Sequence, residues 1–393
     1  MKIGLENLSK RGSKYLADLG SCALLCNQAS LTQEMAPAWH IIKDLIGERL
    51  KCLFSPQHGL DAVVQDNMLE TGHFTHRYTG LPVYSLYSET REPTEAMLAG
   101  VDTILIDLQI VGCRVYTFKY TVAACLRAAK KLGLKVVILD RPNPVGGRFV
   151  EGPVLDKTCR SFVGEFSIPM RHGLSVGEAA SLFNFEIGAD LDIIDLSDWD
   201  PNKLLVDQIP QWVLTSPNLP TFDSVLLYPG TVLFEGTNIS EGRGTALPFT
   251  MLGAPYIDSG ELVSLVCKYY GRLLGFYLRP ASFSPTSQKW ADQVCHGLQV
   301  VVTDPELILP FRLGLAILKG FIELGGKHFS WSQPPYEYNF ETLPIKLIFG
   351  SPDAHNELRD CKDIDGAYWQ AGCKEYISGI GSHLLYSRDL TVG

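Results

Sequence analysis

No stretch of this 393-residue chain approaches the roughly 20 consecutive apolar residues that a membrane helix requires, so no span of a bilayer is expected. Basic residues are in the minority: 34 Lys and Arg stand against 43 Asp and Glu, for a formal net charge of -9. No basic stripe interleaves with aromatics, which argues against nucleic acid as a partner. There is no Cys-x-x-Cys pair, and the ten cysteines are scattered through apolar segments, as at Cys52, Cys125 and Cys267. Free, buried thiols in a reducing compartment fit that usage better than a disulfide framework. The opening residues, "MKIGLENLSKRGSKYLADLGS", lack the apolar core of a signal peptide, so a cytoplasmic location is expected. No GxGxxG follows the first apolar run and no GxxxxGK[ST] occurs, which disfavours dinucleotide and P-loop chemistry. His73 and His76 in "HFTH" have no third ligand at a recognisable spacing, so neither a metal nor another cofactor is expected.

What the chain does have is alternation. Short apolar runs at 22–27, 51–56, 101–109, 134–144 and 191–196 read as strands, separated by helical patterns at 36–50, 117–133 and 175–188. Gly133 offers a left-handed cap, and Ser175 with Glu178 spells a capping box. That order predicts an α/β fold with a parallel sheet. After a Gly- and Pro-rich segment at 216–258, judged too polar to be all core, the alternation fades into helices at 260–274 and 307–324 around a strand at 297–304. The length suits two domains, and a boundary near residue 230 divides the chain into 1–229 and 230–393.

In open parallel sheets, ligands bind beyond the carboxyl ends of the strands. There the sequence places Asn27 and Gln28, Gln57 and His58, Asp107 and Gln109, then Asp140, Arg141 and Asn143. The crowd after the second strand is the densest, with Gln57, His58, Asp61, Gln65, Asp66, Asn67 and Glu70. If the reaction is glycosidic, two carboxyl groups are wanted, and Glu70, Asp140, Glu151, Glu235 and Glu241 are candidates beside apolar or Gly-rich runs. Arg114 with Tyr116, and Arg171 with His172, could face an anion or a sugar, though each also fits an ordinary structural role.

Blocks such as "FSPQHG", "VGCRVYTF", "LDRPNPVGG", "SFVGEFSIPMRHGLSVGE" and "SPNLPTFDSVLLYPGTVLFEGTNISEGRGT" run in order from about residue 20 to the C-terminus. Together they resemble the exo-β-N-acetylmuramidase family called NamZ. The resemblance implies a Rossmann-like N-terminal domain, a smaller α+β C-terminal domain and a cleft between them. It also implies release of N-acetylmuramic acid from the non-reducing ends of peptidoglycan fragments, with a small carbohydrate or muropeptide as the partner. Two departures stand out: many members carry Glu where this chain has Gln57, and Asp where it has Ile110. A neutral amide cannot exchange a proton as a carboxyl does. Another carboxylate is therefore expected to act as the acid, Glu70 first and then Glu235 or Glu241, with His58 and Gln57 positioning water or the acetamido group. Arg114, Tyr116, Asp140, Arg141, Asn143, His172, Asn218 and Arg243 are the expected sugar-binding set. The alternative is a muropeptide-binding or sensing protein that does not cleave.

Overall fold

The computed structural model describes the chain apart from Asn67, Pro210, residues 361–363 and Asp365. Asn67, one of the polar residues after the second strand, thus lies outside the described residues. The strands of the first half are β1 (Cys22–Leu25), β2 (Leu50–Ser55), β3 (Phe74–Thr75), β4 (Pro82–Ser85), β5 (Thr103–Ile106), β6 (Lys135–Leu139), β7 (Phe149–Val150) and β8 (Asp190–Ile194). All but β7 form one seven-stranded sheet, in the order β3-β4-β2-β1-β5-β6-β8. Every pairing is parallel except that of β3, a two-residue antiparallel edge. β1 and β5 are buried along their whole length, as continuous apolar runs covered by helices on both faces should be.

Helices Ala38–Ile46, Phe118–Leu132 and Val176–Ile187 make the crossovers. The second is rich in Ala and straight-chain residues and stops at Gly133 in the left-handed region. The third begins with the reciprocal Ser175–Glu178 capping box that the sequence spells. From β1 the sheet grows outward in one direction through β2 and β4, and in the other through β5, β6 and β8. The reversal beside β1 opens a crevice at the strands' carboxyl ends.

The second half contributes an antiparallel sheet, β10-β11-β9, made of β9 (Met251–Ala254), β10 (Phe276–Phe283) and β11 (Cys295–Val302). Helices Ser259–Tyr270 and Pro310–Gly325 pack beside it. The segment read as too polar to be all core includes the buried helix Phe222–Thr231, with Pro229 inside it. This helix crosses Pro310–Gly325 at backbone contact: a Cβ on Gly230 would lie 1.9 Å from the Pro310 carbonyl oxygen. Only glycine permits that approach, and it fixes the chain leading into Glu235. One continuous apolar cluster, from Ile106 and Val115 to Phe234, Phe311 and Phe321, joins the two halves. Each such side chain contributes roughly 1.5–3 kcal/mol by leaving water. The C-terminal tail then returns to the first half, where β12 (Thr391–Val392) pairs with β7. Among the described residues, no helix is long and apolar enough to cross a membrane.

Candidate active site

Pro56 ends β2, and the chain turns sharply through His58 at φ 72° and Gly59 at φ 84°, which drives the Gln57 and His58 side chains into the crevice. Thr117, at the head of helix Phe118–Leu132, donates its hydroxyl to Gln57 Oε1 at 2.7 Å. Gln57 Nε2 then points across the crevice, where it donates to Glu337 Oε1 at 3.1 Å. His58 Nδ1 lies 2.7 Å from the Val64 carbonyl oxygen. Only an N-H can face a carbonyl there, which puts the ring proton on Nδ1 and leaves Nε2 as a bare acceptor, 3.3 Å from Ser216 Oγ. Burial, reinforced by the nearby Arg243 charge, lowers the His58 pKa to about 4 against the Val64 bond, so the ring is neutral near neutral pH.

The opposite wall comes from the second half of the chain. Arg243 reaches Glu235 at 2.6 Å and Glu241 at 3.1 Å, and Lys289 meets the other Glu241 oxygen at 2.8 Å. Burial opposes ionisation of Glu241, but Lys289 and Arg243 outweigh it and lower its pKa. Tyr336 donates to Glu235 Oε2 at 2.6 Å. Glu337, 4% exposed, meets no such cation among the described residues: Tyr87 donates to its Oε2 at 2.7 Å and Gln57 to its Oε1. Burial raises the Glu337 pKa, helped by the Glu235 charge and opposed by these two hydrogen bonds and by Arg243. Glu337 and Tyr338 have φ of 43° and 64°, and Tyr336 and Asn339 close the loop with paired backbone bonds of 2.9 Å. Positive φ at both central residues is the pattern of a type I′ turn, where Asn-Gly is the low-cost choice. Holding Glu-Tyr there costs on the order of 1–2 kcal/mol per residue. The pocket, partly open to solvent, is lined by Gln57, His58, Tyr116, Thr117, Ser216, Asn218, Tyr228, Glu235, Arg243, Tyr336 and Glu337, among others.

The chain matches the family model for the N-terminal part of exo-β-N-acetylmuramidase NamZ over residues 22–223, and that for the C-terminal part over residues 226–386. It belongs to the NamZ family. The peptidoglycan β-N-acetylmuramidase NamZ of Bacillus subtilis strain 168 is 42% identical over 312 residues, covering 78% of this chain and 74% of that one. Two crystal structures of DUF1343 family proteins from Bacteroides fragilis are each 25% identical. One has a TM-score of 0.85 and covers 98% of this chain and 99% of its own; the other has 0.71, with 99% of each covered. The α/β class, with its parallel sheet and smaller C-terminal part, agrees with these relatives.

The NamZ pocket gathers only some of the residues that the sequence nominates. Gln57, His58, Tyr116, Asn218, Glu235 and Arg243 line it, and Glu241 stands behind Arg243. Glu70 does not line it: its side chain is 50% exposed and faces Arg91 at 3.8 Å. Arg114 is fully buried and donates to the carbonyls of Pro153, Ile168, Ile348 and Phe349, so it staples backbone and is closed to a ligand. Gly350 makes room for it, since a Cβ there would lie 2.6 Å from Arg114 Nη2. Arg141 spends its guanidinium on Asp107 and borders a separate cavity with Gln109 and Trp212. Asp140 accepts from Ser175, Gly177 and Tyr386, with burial raising its pKa to about 7. Asn143 accepts from the Val145 amide, and His172 from the Leu174 amide; neither side chain lines the pocket. Gly173–Gly177 has the spacing of a nucleophile elbow, but Ser175 Oγ is buried as a helix cap on the Glu178 amide and donates to Asp140. No cluster of three or more metal-binding side chains occurs among the described residues.

Sequence reasoning missed Glu337, Tyr336, Thr117 and Ser216. The available signal was "PPYEYNF", a carboxyl between two tyrosines in a turn.

Two expectations follow for this NamZ site. Glu70→Gln leaves kcat/KM within about threefold of the native value, because general acid-base catalysis, worth about a hundredfold or more, needs hydrogen-bond reach; a hundredfold loss in steady-state assays would return the role to Glu70. The second concerns stability. Below pH 6.5 the unfolded chain protonates His58, whereas the native chain resists until about pH 4. The stability tied to His58 is therefore complete above pH 6.5 and is lost as pH falls toward 4, by about 3 kcal/mol in all. Urea unfolding at pH 7 and pH 4.5 should show a smaller acid loss in His58→Gln than in the native protein, and equal losses would contradict this.

Proposed function

We propose that this NamZ protein is an exo-acting glycoside hydrolase that releases N-acetylmuramic acid from the non-reducing ends of peptidoglycan fragments. The observation that carries the reading is the pocket itself, where the buried carboxyl groups of Glu235 and Glu337, one lining arginine and a neutral histidine meet at the carboxyl end of β2, with Glu241 behind the arginine. Glycosidic cleavage needs a carboxyl that carries a proton and charged groups that stabilise a cationic sugar ring. Two carboxylates, Glu235 and Glu241, are balanced by two cations, Arg243 and Lys289. That balance lets an anionic lactyl sugar enter without net repulsion. In this reading Arg243 meets the lactyl carboxylate, while Asn218, Ser216 and the bare His58 Nε2 meet hydroxyl and acetamido groups.

A binding-only role draws its support from Gln57 and Ile110, and Glu337 weakens it by bringing a carboxyl into contact with the Gln57 amide. The proposal includes a division into residues 1–229 and 230–393 with the cleft between them, supported by the separate sheets and by the change of family model between residues 223 and 226. It also includes a cytoplasmic location, supported by the free cysteines among the described residues, eight of nine of them buried. The test is a pair of aryl glycosides. Release from the β-N-acetylmuramide with little from the β-N-acetylglucosaminide is expected; equal release from both, or none from either, would count against it.

A further inference from the structure

Gln57 and Glu337 are 280 residues apart in sequence and touch inside the pocket. We propose that Glu337 is the carboxylic acid that protonates the glycosidic oxygen, with Gln57 and Tyr87 as its positioning residues; this rests on the glycosidase reading above.

The geometry separates Glu337 from its neighbours. Glu235 and Glu241 are engaged by Arg243 and Lys289, and these two cations lower the Glu241 pKa. Glu337 meets an amide and a phenol, both neutral donors. Each carboxyl oxygen uses one acceptor direction in those bonds and keeps a second. Thr117 holds the oxygen end of the Gln57 amide, and the N-H end faces Glu337. That N-H and the Tyr87 hydroxyl then stabilise the carboxylate left after proton transfer. The strained turn adds an independent sign, because two successive non-glycine residues at positive φ persist where the surroundings demand that placement. Burial and the Glu235 charge favour the protonated form of Glu337, as a general acid working near neutral pH requires.

The step balances simply. The Glu337 proton passes to the glycosidic oxygen as the bond from that oxygen to C1 breaks, and the aglycone leaves as an alcohol. Water adds to C1, and the proton it gives up restores the Glu337 acid over the cycle.

The experiment compares Glu337→Gln with the native enzyme on two substrates: a muramyl-glucosaminyl disaccharide, whose leaving group needs protonation, and an aryl muramide, whose leaving group does not. The expected result is a loss of at least about a hundredfold on the disaccharide, a much smaller loss on the aryl substrate, and disappearance of the alkaline limb of the kcat/KM profile. Glu337→Asp retains a carboxyl and is expected to keep more activity than Glu337→Gln, whatever the effect of either on folding. Disaccharide turnover within about threefold of native in Glu337→Gln would overturn the proposal, as would a higher rate in Glu337→Gln than in Glu337→Asp. A native enzyme inactive on both substrates would instead remove the glycosidase reading and this proposal with it.

Discussion

Arg243→Met should lower kcat/KM by at least about a hundredfold, the scale of losing one well-placed charge in a water-poor site. Native Arg243 lies between Glu235 and Glu241, with its side chain 10% exposed. Without it, Lys289 still answers Glu241, but among the described residues the Glu235 carboxylate keeps only the Tyr336 hydroxyl. An uncompensated buried carboxylate costs about 3–5 kcal/mol, so urea unfolding should register the loss alongside the assay. Arg243→Lys restores a charge but not the two-sided reach of the guanidinium, and should fall between the two. Turnover within about threefold of native in Arg243→Met would show that the cation has no part in the reaction.

A comparable stability effect, remote from the pocket, is expected at the C-terminal tail. The side chains of Arg388 and Glu178 are both fully buried, and the guanidinium meets both carboxylate oxygens at 2.7 Å. Glu178 also closes the capping box and accepts from the Leu385 amide. Beside it, Tyr386 donates to Asp140 at 2.6 Å. The tail is thus fastened to the sheet end by charge as well as by the short pairing of β12 with β7. Arg388→Met strands a carboxylate where water cannot reach it, at a cost of about 3–5 kcal/mol. Urea unfolding should show that loss, and a change below about 1 kcal/mol would mean that the tail is held by its backbone alone.

The parallel sheet was readable because its determinants are local. Cys22–Leu25 and Leu50–Ser55 are apolar runs of strand length, Gly133 and Gly188 stop helices in the left-handed region, and Ser175 with Glu178 starts one. β10 escaped because it carries Pro280 and exposes Tyr277, as an edge strand can, and so lacks the buried run that marks β1.

The site was half legible for a different reason. Polar residues at strand ends mark where a ligand can bind, but they do not reveal which of them already satisfy one another. Arg141 with Asp107, and Asp140 with Ser175 and Tyr386, form closed sets inside the protein. Arg114 is consumed by four carbonyls. Glu70, thirteen positions after Gln57, points to Arg91 at the surface, while the carboxyl in contact with Gln57 arrives from a turn near the other end of the chain. Proximity in sequence favoured Glu70, and the packing of the two halves brings Glu337 instead.

The most direct measurement is digestion of muramyl-terminated peptidoglycan fragments of defined length, followed by mass spectrometry of the products. The account predicts free N-acetylmuramic acid and a fragment shortened by that one sugar, with the newly exposed glucosaminyl end left uncut. Intact fragments, or cleavage at internal linkages with no free N-acetylmuramic acid, would contradict it.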